Sequence, residues 1–166
     1  MGKILSAECK CGFKIQRIFV DRGGIPTGYC NVCHKTFSIS EDEYISLNDA
    51  EQRGEEQNMV KCPDCNGYDV TTLVCFAPAL CQNCNEMKNL NYKDKNIRCP
   101  DCGNSVTFYH DPSLQKPTLE TEGISWDWFN TQEGVTKYKI TLPPTEYKCP
   151  SCGEMTLVFK DIGWWD

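Results

Sequence analysis

The sequence predicts a small, mostly-β protein whose folding is organised by its cysteines. Three observations predict it. Of 13 cysteines in 166 residues, twelve fall into six close pairs: Cys9/Cys11, Cys30/Cys33, Cys62/Cys65, Cys81/Cys84, Cys99/Cys102 and Cys149/Cys152. Short runs rich in β-branched and aromatic residues flank most of these pairs. Proline, glycine and asparagine gather at the pairs themselves, where tight turns are needed.

Cysteine at this density means disulfides or metal. Disulfide frameworks belong to secreted chains, and the opening Met1-Gly2-Lys3-Ile4-Leu5-Ser6-Ala7-Glu8 has no apolar run of signal length. No stretch approaches the ~20 apolar residues that span a bilayer. A cytoplasmic protein without membrane contact is therefore expected, and C-x-x-C pairs there point to metal. The odd count fits three sets of four, with Cys75 left over.

The pairs have the chemistry of metal knuckles. Five are C-x-x-C and the first is C-x-C. Pro63, Pro100 and Pro150 follow the first cysteine of their pairs and preset the φ of a tight turn. After the second cysteine come Gly12, Asn66, Asn85, Gly103 and Gly153, the residue types that best tolerate positive φ. A glycine there is expected to let its N–H approach a sulfur and stabilise the thiolate. The expected cofactor is Zn²⁺, three per chain, held by all twelve paired cysteines at about 2.3 Å. Four sulfurs per ion leave no position for water, so the sites are expected to be structural.

Strand signals surround the knuckles. Residues 13–20, 36–39, 70–76, 106–109 and 155–159 are β-rich runs, and 135–142 alternates for eight residues. Ile124 to Phe129 is rich in aromatics. Ser40 with Glu43 makes a capping box for one short helix ending before Gly54. Knuckle, strand, turn, strand, knuckle is similar to the zinc-ribbon (rubredoxin-like zinc β-ribbon) superfamily, at three places covering most of the chain. The resemblance implies three ribbons in tandem, the third with a β-rich insertion, and says little about function.

Pairing neighbouring knuckles in order leaves 18, 15 and 46 residues between them. That order divides the chain into a basic ribbon over 1–39, an acidic linker or short helix over 40–61, a middle ribbon over 62–95, and a last ribbon over 96–166 with its insertion at 104–147. A nested alternative joins Cys81/Cys84 to Cys99/Cys102 and Cys62/Cys65 to Cys149/Cys152. The first ribbon is expected to move independently, while the other two pack together. Each ribbon is too small to bury a sufficient core alone, so metal binding and folding are expected to be one event.

Charge separates the candidate partners. The net charge is −6, and three Zn–Cys₄ centres bring it to about −12. Residues 1–39 carry +4, whereas 40–61 and 99–166 each carry −5. So acidic a body repels phosphate over most of its surface. Only residues 1–39 offer a nucleic-acid face, through Lys14 and Arg17 beside Phe13 and Phe19. The two histidines, His34 and His110, make no catalytic set, and no phosphate loop, nucleophile elbow or zinc-protease motif occurs. His34 is expected beside a metal group rather than on the ion. The chain therefore reads as a non-enzyme: a zinc-binding adaptor or regulatory subunit presenting ribbon surfaces to a protein. Trp126, Trp128, Trp164 and Trp165 are the candidate contact residues. The alternative is a nucleic-acid-binding accessory factor using the basic N-terminal segment.

Overall fold

The computed structural model describes residues 2–20, 26–55, 60–72, 75–92, 96–130 and 136–165, and only the backbone at 52, 127–130, 136–138 and 165. Four small sheets and one α-helix make up the described chain. The largest sheet joins the two ends of the sequence. Its central strand, β1 (Gly2–Cys9), lies between β2 (Lys14–Val20) and the last strand, β12 (Met155–Trp165). β1 and β12 run antiparallel from Cys9↔Leu157 to Gly2↔Trp165.

A second sheet sets β3 (Thr27–Cys30) between β4 (Thr36–Ser38) and β5 (Val70–Thr71). A third sets β6 (Phe76–Cys81) between β7 (Glu86–Asn91) and β8 (Thr107–Phe108). β9 (Ile124–Asn130) and β10 (Thr136–Leu142) form a hairpin, and β11 (Tyr147–Lys148) edges the first sheet beside β12.

The helix α1 (Glu41–Arg53) forms as its caps require. Ser40 accepts from the Glu43 N–H, Glu43 accepts from the Ser40 N–H, and Gly54 closes the end at φ 69°. Its inward side chain Leu47 is 1% exposed. Glu51, also buried, accepts from the Thr72 N–H at 2.9 Å and the Thr72 hydroxyl at 2.8 Å. The acidic stretch is thus a docked helix, fixed just beyond β5 of the second sheet.

One main core draws on distant parts of the sequence. Leu5, Ala7, Ile18 and Val20 of the terminal sheet pack with Ala77 and Leu80 of β6, with Trp126, Ile140 and Leu142 of the hairpin, and with Tyr109, Tyr147 and Phe159. The last three rings meet edge to face, with centroids 5.0–6.1 Å apart. A smaller core gathers Leu47, Val60 and Val70 around Cys30 and Cys62. The expectation that the first segment moves independently is corrected here. β1 and β2 lie at the centre of the main core because β1 needs a strand on each side, and the far end of the chain supplies one.

Strands β1, β3, β7 and β11 carried no signal strong enough to be read from sequence, and the run 70–76 is not one strand, since β5 ends at Thr71 and β6 starts at Phe76. Gly2–Cys9 does not alternate cleanly because a central strand is covered on both faces, so its polar Ser6 is only 6% exposed. Pro78 sits within β6 because its carbonyl, rather than an N–H, makes the contact there: it accepts from the Tyr109 N–H at 3.0 Å.

Candidate metal centres

All twelve paired cysteines converge into three groups of four: Cys9, Cys11, Cys149 and Cys152; Cys30, Cys33, Cys62 and Cys65; Cys81, Cys84, Cys99 and Cys102. Within each group every sulfur lies within 4.8 Å of the others. The closest contacts between knuckles are 3.7 and 3.8 Å in the first group, 3.5 and 3.6 Å in the second, and 3.5 and 3.8 Å in the third. A disulfide would need about 2.05 Å. Four sulfurs at about 2.3 Å from one tetrahedral ion stand ~3.8 Å apart, so these groups can each hold a metal ion, as zinc-ribbon-like sites do.

Sequential pairing of the knuckles is corrected. The first knuckle joins the sixth, the second joins the third, and the fourth joins the fifth. Half of the nested alternative survives, since Cys81/Cys84 does meet Cys99/Cys102. Segments 1–39, 62–95 and 96–166 each contain halves of two different groups, so the ribbons do not follow one another in tandem. Strand pairing is the physical cause. β1 delivers Cys9 opposite Leu157, a few residues beyond Cys152. β3 and β5 pair at Cys30↔Val70, and Asn31 binds Asp69 by backbone and side chain at 2.9 and 2.8 Å. β6 and β7 pair from Cys81↔Glu86, and Lys88 of β7 reaches Asp101 in the fifth knuckle.

Every knuckle uses the backbone state expected of it, including the one whose sequence gave no sign of it. Positive φ occurs at Gly12, Asn66, Asn85, Gly103 and Gly153, and also at His34, at 60°. The N–H of five of these six residues donates to the first cysteine's carbonyl, at 2.8–3.0 Å. This corrects the expectation that the glycine N–H meets a sulfur: at Gly12, Gly103 and Gly153 it meets the carbonyl instead. The sulfur contacts come from other groups: Gly67 N–H to Cys65 at 3.4 Å, Cys11 N–H to Cys9 at 3.5 Å, the Asn104 amide to Cys102 at 3.4 Å, and the Thr156 hydroxyl at 3.1 Å from Cys9. His34 stays off the sulfur groups, with Nδ1 3.3 Å from the Tyr29 hydroxyl. Cys75, fully buried, lies outside all three groups.

These contacts sort the sulfurs. The Cys11 N–H and then the Thr156 hydroxyl bring the Cys9 thiol down to about 6, and Asn104 does the same for Cys102. Burial pushes Cys30 and Cys149 up to about 12. Without metal these contacts favour the thiolate at Cys9 and Cys102, whereas burial favours the protonated thiol at Cys30 and Cys149. Binding a divalent ion must displace those protons, so apparent metal affinity is expected to rise from pH 6 to pH 8. Calorimetric titration in buffers of different ionisation enthalpy checks this. Zero proton release at pH 7 would contradict it.

The other candidate residues divide. Trp126 is 4% exposed and belongs to the main core, which corrects its reading as a contact residue. Trp164 is 62% exposed. The side chains of Trp128 and Trp165 lie outside the described residues. Lys14 and Arg17 are exposed on β2, but Lys14 meets Glu8 at 2.9 Å. Lys3, Lys10 and Lys35 likewise meet Asp161, Glu146 and Asp64 at 2.8, 3.7 and 3.2 Å. Spacing missed the pairings of Lys3, Lys10 and Lys35 because their carboxylates lie far along the chain, 158 residues away for Lys3 and 29 for Lys35. Among the described residues, no helix is long and apolar enough to cross a membrane. No protein-family model matches the chain, and no curated protein and no solved structure matches it either.

Proposed function

We propose that the protein is a non-enzymatic zinc-binding adaptor whose three metal-held units present a rigid surface to another protein. The observation that carries this reading is the completeness of the sulfur groups. With four thiolates on each ion, no coordination position is left for water or substrate, and the metal serves as a staple. Zinc suits an all-thiolate tetrahedral set, and as a d¹⁰ ion it adds no colour. The exposed ring of Trp164 supports a protein contact on the terminal sheet.

The nucleic-acid alternative loses ground to charge. Four of the six cations in residues 1–39 face carboxylates within 4 Å. Such pairs contribute little stability at a surface, yet they cancel the field that phosphate binding needs. Purified protein is expected to carry close to three zinc ions, to be colourless, and to bind mixed-sequence single- and double-stranded DNA and RNA no better at low salt than at high. Salt-sensitive binding lost on Lys14→Glu/Arg17→Glu would overturn the adaptor reading. Visible iron–thiolate absorption would overturn the metal. In cell extracts, Trp164→Ala is expected to release a bound protein that the Lys14/Arg17 reversal retains.

A further inference from the structure

β12 has a neighbour on both sides only at its start. β1 accompanies it to Trp165, but β11 pairs only at Met155 and Leu157. From Val158 to Trp165 its second edge has no strand partner among the described residues. The cause is local. The chain before β11 turns toward the 115–116 segment, where the Lys116 N–H donates to the Glu146 carbonyl at 2.8 Å and Gln115 bridges to Tyr147. Pro143 and Pro144 have no N–H with which to extend the ladder. Where the two strands part lies an apolar groove of about 640 Å³, lined by Ile124, Leu142, Pro143, Pro144, Val158 and Phe159 among others. At the opposite end of the open edge stands Trp164, its ring held 4.9 Å from the Lys3 ammonium.

We propose that this edge pairs antiparallel with the same edge of a second copy, so that each copy's Trp164 enters the other's groove. Reversal of direction is what makes the edge match itself: a two-fold axis between Asp161 and Ile162 brings the tryptophan end of one strand onto the groove end of the other. All eight residues then pair, with Trp164 opposite Phe159. The bulge in β12 makes this register possible. Between Asp161 and Gly163 the strand gains one residue on β1, which places Trp164 on the same side of the sheet as Phe159. In an unbroken strand those positions, five apart, would face opposite sides.

Charge does not oppose the contact. Edge strands are commonly kept apart by unpaired charges. Here the edge carries one lysine and one acid, and β1 satisfies both: Lys160 with Glu8 at 3.0 Å and Asp161 with Lys3 at 2.8 Å. The edge is locally neutral although the chain is at −6. Area is sufficient as well. Two tryptophans burying about 200 Å² each supply a third of the ~1,200 Å² at which stable interfaces begin, and sixteen strand residues supply the remainder. Two-fold pairing of this kind is the commonest route to a homodimer.

This inference rests on reading Trp164 as a protein-contact residue, and the two are tested apart. Sedimentation equilibrium of the purified zinc-loaded protein, from about 1 µM to about 1 mM, is expected to show a monomer–dimer equilibrium. Trp164→Ala is expected to weaken it by about tenfold or more. Val158→Asp, which sets a carboxylate at the mouth of each groove, should act in the same direction. Metal content and melting temperature show that either variant is folded. A monomer throughout that range, or a dimer equally tight in the folded variants, overturns the dimer. If Trp164→Ala still releases a bound protein from cell extracts, the adaptor reading survives that failure.

Discussion

Cys149→Ser is expected to lose the same metal ion as Cys9→Ser, although 140 positions separate them, because both belong to one sulfur group. The decisive comparison uses two double variants. Cys9→Ser/Cys149→Ser should lose one ion, since both ligands serve it. Cys9→Ser/Cys30→Ser should lose two. Elemental analysis per chain reads the difference directly, and the reverse pattern would restore sequential pairing. A structural zinc site contributes an apparent ~10–16 kcal/mol, comparable to the ~5–15 kcal/mol net stability of a whole domain. Loss of this ion should therefore disorder the sheet that joins the chain ends, with a large change in far-UV circular dichroism. Cys75→Ala is the control: it should keep all three ions and cost only a large-to-small core change of a few kcal/mol.

Trp126→Ala should be the most damaging change away from the sulfurs. The side chain is 4% exposed and packs in the main core with residues of the terminal sheet, β6 and the hairpin. Truncating such a tryptophan costs about 3–5 kcal/mol, which lowers the melting temperature by about 6–20 °C in a chain of this size. Trp164→Ala, measured at concentrations where the protein is monomeric, should cost about 1 kcal/mol or less, mainly the contact with Lys3. Thermal melts of the two zinc-loaded variants side by side check the contrast. Equal melting temperatures would mean that Trp126 is not a core anchor.

The contrast between the two tryptophans shows where reading the sequence stops. Both sit in aromatic clusters of similar composition, and nothing local distinguishes them. Trp126 is buried because its hairpin packs against strands from both ends of the chain. Trp164 is exposed because β11 is too short to cover the end of β12. Local signals did better. The capping box at Ser40 and Glu43 and the stop at Gly54 specify α1 within the residues that form it. Strands at 14–20, 107–108 and 136–142 follow from β-branched runs.

By itself the sequence determined which cysteines gather into possible metal sites, that they do so in fours, and how five of the six knuckles turn. Those properties depend on side-chain chemistry and on φ preferences within five or six residues. Only the tertiary structure decided which knuckles share a site. A knuckle offers two sulfurs to any other knuckle, so spacing sets a weak entropic preference for neighbours and nothing stronger. The preference is overcome because β1 requires two flanking strands to bury Leu5 and Ala7, and β12 provides one of them from the opposite end of the chain.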